Sequence, residues 1–95
     1  MLAETTSRTV FVNNRHGLHL RPCSAIVTTA NRHQAKVTVH KGGDTVSADS
    51  IFGLLSLAAT WGTELILSAT GPDAEEALEA VARLFAEEPE LAHCA

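Results

Sequence analysis

Apolar and polar residues change rhythm several times along the chain, and each rhythm predicts one kind of element. Val10-Phe11-Val12 lies among polar residues and runs into Asn13-Asn14, which predicts a first strand over about residues 7–13. Asn14-Arg15-His16-Gly17 has the composition of a loop. Pro22 stands where a first helical turn tolerates it, and Ile26, Val27 and Ala30 then recur at helical spacing, so a helix is predicted over about 20–32. Lys36-Val37-Thr38-Val39-His40 alternates strictly, as a half-buried strand does. Gly42-Gly43-Asp44 supplies a permissive turn, and Thr45 to Ala48 returns as the hairpin partner.

Asp49-Ser50 precedes Ile51, Leu54, Leu55 and Ala58, the pattern of a short capped helix that Gly62 breaks. Leu65-Ile66-Leu67 with Ala69 reads as a fourth, well-buried strand. Gly71-Pro72-Asp73 opens a long amphipathic helix with Asp73 and Glu76 as a capping pair. Its apolar positions Ala74, Ala77, Leu78, Val81, Ala82 and Phe85 follow helical spacing, and Pro89 limits it. The order is β-α-β-β-α-β-α. Strands with one apolar face predict helices on one side of a mostly antiparallel sheet and solvent on the other.

Composition narrows the function classes. With 95 residues, 45% hydrophobic and 19% charged, the chain suits one folded domain over 1–95. Seven basic against eleven acidic residues, a formal charge of -4, argue against nucleic-acid binding and against an anionic membrane surface. Two cysteines do not make a disulfide scaffold. No apolar run nears the ~20 residues that span a bilayer, and Met1 to Arg8 shows no signal-peptide core. A cytoplasmic location is expected.

Chemistry concentrates in Gly17-Leu18-His19-Leu20-Arg21-Pro22, at the start of the first predicted helix. A helix start offers unpaired N–H groups and the positive end of the dipole, a place where a phosphoryl group finds donors and favourable charge. The same field disfavours imidazolium and so favours a neutral His19, which a phosphoryl-accepting nucleophile requires. Arg21 keeps its charge and can pair with phosphoryl oxygens through a planar fork of donors. Pro22 fixes the first turn, and Gly17 permits the tight approach. A lone histidine at a helix start is usually a capping or surface residue. The four residues together, in this order and in this pattern of elements, favour a site.

These residues resemble the active-site signature Gly-Leu-His-x-Arg-Pro of the histidine-containing phosphocarrier (HPr) family of the bacterial sugar phosphotransferase system. A second match, Asp49-Ser50-Ile51-Phe52-Gly53-Leu54-Leu55-Ser56-Leu57, is similar to that family's regulatory serine segment, and the resemblance covers about residues 7–88. It implies an α+β open-faced β-sandwich, four antiparallel strands with three helices on one face. It also implies that His19 takes a phosphoryl group on Nδ1 from phosphorylated enzyme I and passes it to the IIA domain of a sugar permease, with Arg21 stabilising the phosphohistidine. The protein is then a covalent relay that needs no cofactor, rather than a stand-alone enzyme, and is expected to be a monomer.

Ser50 matches the serine that an ATP-dependent kinase modifies in some bacteria, and by position it is also an ordinary helix cap. A phosphate there would suit the helix start but add negative charge to the docking surface. That surface matches Leu20, Ile51, Phe52 and Leu55, with Phe52 and Leu55 the better candidates for exposure and Leu54 for the core. An HPr-like regulatory binding module controlled through Ser50 is the alternative function.

The sequence departs from the family in several places. Leu20 stands where a small residue is usual, His16 where a small polar residue or proline is, and Thr28 and Asn31 where many phosphocarriers carry lysines. Arg21 and Arg32 alone give the first helix positive charge, so slower or different recognition of an acidic partner is expected. Cys23 has three readings: a small buried thiol, a redox-sensitive thiol activated by the helix start, or a zinc ligand with His16 and His19, a set without an evident fourth member. His33, His40 and His93 read as surface residues, and Trp61 as a packing residue.

Overall fold

The computed structural model describes residues 5–13, 17–18 and 20–86. His16, His19, Pro89 and His93 lie outside the described residues. The elements are β1 (Thr5–Phe11), α1 (Leu20–Asn31), β2 (Lys36–Lys41), β3 (Asp44–Ser47), α2 (Ile51–Ser56), β4 (Glu64–Thr70) and α3 (Ala74–Ala86). All neighbouring strands are antiparallel, in the order β1-β4-β2-β3. Four strands with three helices packed on one face make an open-faced α+β sandwich.

Alternation in β2 and β4 builds this arrangement. Val37, Val39, Leu65, Leu67 and Ala69 turn toward the helices and are buried. Their neighbours Thr38, His40, Ile66 and Ser68 face the open side, where cross-strand pairs set Ser7 beside Ser68 and Thr38 beside Ser47. Both ring nitrogens of His40 meet hydroxyls there, Nδ1 at 2.9 Å from Thr45 Oγ1 and Nε2 at 3.2 Å from Thr38 Oγ1. The helices close the other side with Cys23, Ile26 and Ala30 of α1, Leu54 of α2, and Ala77, Leu78, Val81 and Phe85 of α3.

Several expectations need correction. The first strand starts two residues earlier and ends two earlier than the apolar run suggested, because Thr5 and Thr6 pair with Thr70 and Ala69 despite their polarity. The second helix ends at Ser56, well before Gly62. Ala58 lies outside it in a left-handed conformation (φ 51°), its N–H donating to Leu55 O at 3.1 Å. The Asp73 carboxylate turns to another part of the chain instead of forming the expected capping pair with Glu76. It accepts hydrogen bonds from the Gln34 and Ala35 N–H groups, at 3.1 and 2.7 Å, and so clasps the α1–β2 connection. His33 is correspondingly half-buried, with Nδ1 at 3.9 Å from that carboxylate. Trp61 is not a packing residue; 69% of its surface is exposed.

Candidate functional site

The approach to α1 is fixed by main-chain contacts with the α2–β4 connection. Val12 is buried, its N–H donates to Thr63 O, and its carbonyl accepts from Gly62 N–H, both at 2.9 Å. Leu18 N–H donates to Ala59 O, also at 2.9 Å. Gly17 has φ +74°, and a Cβ placed on it would lie 2.5 Å from Ala59 O. No side chain fits there, so glycine is required both by conformation and by space.

Helix α1 begins at Leu20, the residue after His19 in the sequence. Its first four positions lack an i−4 partner for their N–H groups, and Pro22 has none to leave unpaired. Leu20, Arg21 and Cys23 therefore carry the amide donors of the first turn. That turn holds no acidic residue, so no carboxylate of the helix competes for those donors or cancels the dipole field. Arg21 is exposed and makes no ion pair among the described residues. Two residues further, Cys23 is fully buried in the core.

Burial decides between the two thiol readings of Cys23, whereas the zinc reading with His16 and His19 falls on residues outside the described ones. Loss of hydration pushes its thiol pKa up to about 11, the opposite of the activation expected for a redox-sensitive thiol at a helix start. Cys23 is a small core residue. Among the described residues no group of three or more His, Cys, Asp or Glu side chains is placed to hold a metal.

Ser50 is the N-cap of α2. Its backbone is extended (φ -113°, ψ 107°), and its Oγ accepts a hydrogen bond from Gly53 N–H at 3.1 Å. Lys41 Nζ donates to Leu57 O at 2.8 Å, satisfying a carbonyl at the other end of the helix. This short helix packs against α1. Among the four residues expected at the docking surface, Leu20 and Phe52 are exposed, at 64% and 81%. Ile51 and Leu55 are half-buried against the core, and Leu54 is fully buried.

Sequence reasoning missed Ala58 and Ala59. An alanine carries no signal for a left-handed turn, and the carbonyl that receives Leu18 N–H is a main-chain group any residue could supply. Both matter only because the chain returns to Leu18 there, 41 positions later.

The family model described as the phosphorylation site of the HPr component of the phosphotransferase system matches residues 6–87. This chain belongs to the HPr family. The HPr of Treponema pallidum is 44% identical over 78 residues, which is 82% of this chain and 89% of that protein. The crystal structure of HPr from Bacillus anthracis superposes with a TM-score of 0.81 at 41% identity, covering 85% of this chain and 96% of that one. Crh, a catabolite-repression protein of Bacillus subtilis solved as a swapped dimer, is 46% identical with a TM-score of 0.72, covering 83% of this chain and 91% of that one. HPr is a phosphocarrier, and the signature around Gly17 and the serine segment around Ser50 both fall inside the matched region. No helix among the described residues is long and apolar enough to cross a membrane.

Proposed function

We propose that this chain relays a phosphoryl group through His19, from phosphorylated enzyme I to the IIA domain of a sugar permease, in the cytoplasm. The Nδ1–P bond forms as the donor's bond to phosphorus breaks, and the second transfer reverses this on the IIA side. One observation carries the reading. Helix α1 starts at the residue after His19, with no carboxylate in its first turn and with Arg21 exposed two positions on. First-turn amides and a permanent guanidinium suit the charge that a phosphohistidine brings. Leu20 and Phe52, with Ile51 and Leu55 at their margin, supply the apolar surface on which either partner docks.

The test is incubation with enzyme I and phosphoenolpyruvate. An acid-labile, base-stable phosphoprotein is expected from the wild-type chain and none from His19→Ala. Absence of label on the wild-type chain removes the proposal.

A second reading is favoured by the similarity to Crh: a regulatory module whose binding is set by phosphorylation at Ser50. It expects an HPr-type kinase with ATP to modify Ser50, and Ser50→Asp to change affinity for a regulatory partner while enzyme I still labels His19 slowly. In this reading the carrier is a monomer, which sedimentation at micromolar concentration checks.

A further inference from the structure

The outer edge of the sheet, away from α1 and α2, faces a groove of about 680 Å³. It runs between β1 and α3 and is lined by Arg8, Phe11, Trp61, Glu79, Arg83 and Phe85 among others. Strand β1 pairs with β4 on one side, and no described strand pairs with it on the other. Both main-chain groups of Val12 point to the β4 side, where they bond Thr63 and Gly62 just ahead of that strand. With the period of two that strands impose, Val10 and Arg8 do the same, while Ser7, Thr9 and Phe11 turn their N–H and C=O groups outward. Seven residues without proline present that edge to the groove.

Side chains give the groove a chemical preference. Phe11 and Trp61, at one end, are 56% and 69% exposed, large apolar surfaces that the fold leaves uncovered. Arg8 Nη2 holds Glu79 Oε1 at 2.9 Å, whereas Arg83 Nη2 stays 3.8 Å from Glu79 Oε2. Two guanidinium groups thus share one carboxylate, and the Arg83 side chain is 66% exposed. We infer that this groove binds an extended peptide segment of a partner protein, which adds a strand to β1, lays aliphatic side chains on Phe11 and Trp61, and gives a carboxylate to Arg83. Strand addition supplies main-chain bonds, and the alternate side chains supply the selection. This surface is separate from the His19 relay and would operate whether or not that relay is the chain's task.

The probe is the peptide Thr-Val-Asp-Val-Thr-Val with blocked ends, alternating aliphatic side chains with a carboxylate, and its control carries Lys in place of Asp. The chain has one tryptophan, so indole fluorescence reports on Trp61 alone. Saturable 1:1 binding is expected to change that fluorescence, shift the Ser7, Thr9 and Phe11 amide resonances, and slow their hydrogen exchange. Arg83→Glu should weaken it about tenfold or more, since a hydrogen bond to a charged group is at stake, and leave labelling by enzyme I unchanged. No response at millimolar peptide overturns the proposal, as does equal binding of the lysine control. So do Ser7, Thr9 and Phe11 amides already protected in the dilute free chain. Self-association without peptide that perturbs those amides also overturns it, by assigning the edge to a second copy.

Discussion

The carboxylate of Asp73, ahead of α3, accepts a 2.7 Å hydrogen bond from the backbone N–H of Ala35, ahead of β2. Burial alone would raise its pKa. The N–H donors of Gln34, Ala35 and Asp73 itself, together with the nearby His33, outweigh that and hold it below the ordinary carboxylate value. A folded pKa below the unfolded one means that the contribution is present above the unfolded value and disappears as pH falls through the folded one. Thermal melts should therefore show acid destabilisation setting in below about pH 4, and Asp73→Ala should flatten that part of the profile. An unchanged acid limb in the variant would assign the loss to other carboxylates.

Gly71 adjoins the same clasp. Its φ is +143°, and a Cβ there would lie 2.7 Å from Ala35 Cα. Gly71→Ala should destabilise the fold by about 2–4 kcal/mol, combining backbone strain with a main-chain clash. Gly43→Ala, where nothing lies within 4 Å, is the control and should stay within about 0.5 kcal/mol. Chemical denaturation of both variants measures the difference.

At Ser50 the cap and the modification can be separated. Ser50→Ala removes the acceptor for Gly53 N–H and should cost about 1 kcal/mol. Ser50→Asp keeps an acceptor at the same position and should be nearly neutral in stability. A binding change seen with Asp but not with Ala therefore reports on charge, and one seen with both reports on a loosened α2.

Cys23 should resist thiol reagents. With Cys94→Ser to remove the other thiol, reaction of the native chain with a disulfide reagent at pH 8 should be slow and follow the rate at which the core opens. A thiol titrating near 11 in the folded state carries little thiolate at that pH, and its sulfur is out of reach. Rapid stoichiometric reaction in the native state would place the thiol at the surface.

Replacing Arg21 by Ala removes a fixed charge at the start of α1 without disturbing any ion pair among the described residues. Transfer from enzyme I should fall about ten- to a hundredfold, the scale of one or two charge-assisted hydrogen bonds. Arg21→Lys should recover part of it, because an ammonium supplies the charge but not the fork. Rapid-quench labelling separates the three proteins.

Much of this was legible in the residues. The strict alternation of Lys36–His40 and the helical spacing from Ala74 to Phe85 gave β2 and α3 closely, because each has one face against the core. Gly17-Leu18-His19-Leu20-Arg21-Pro22 stood out because its members have different physical tasks at one helix start. What escaped was tertiary. Asp73 looked like a local cap, and only the packed fold brings Gln34 and Ala35 to it. Trp61 read as a packing residue, but its position in the turn at Gly62 directs it outward at the end of β1. Ala58 carries no hint of its left-handed turn, which the return of Ala59 to Leu18 imposes.

Because Leu18 hangs on the carbonyl of Ala59, and β1 finds its partner within the fold in β4, the chain on the N-terminal side of α1 is held by chain made later. During synthesis the signature leaves the ribosome long before its supports do, and closing a sequence separation of 65, as from Thr5 to Thr70, is entropically slow. On the relay proposed above, a nascent chain would thus acquire its acceptor geometry among the last events of folding, a built-in delay before a half-made carrier could draw on phosphoenolpyruvate.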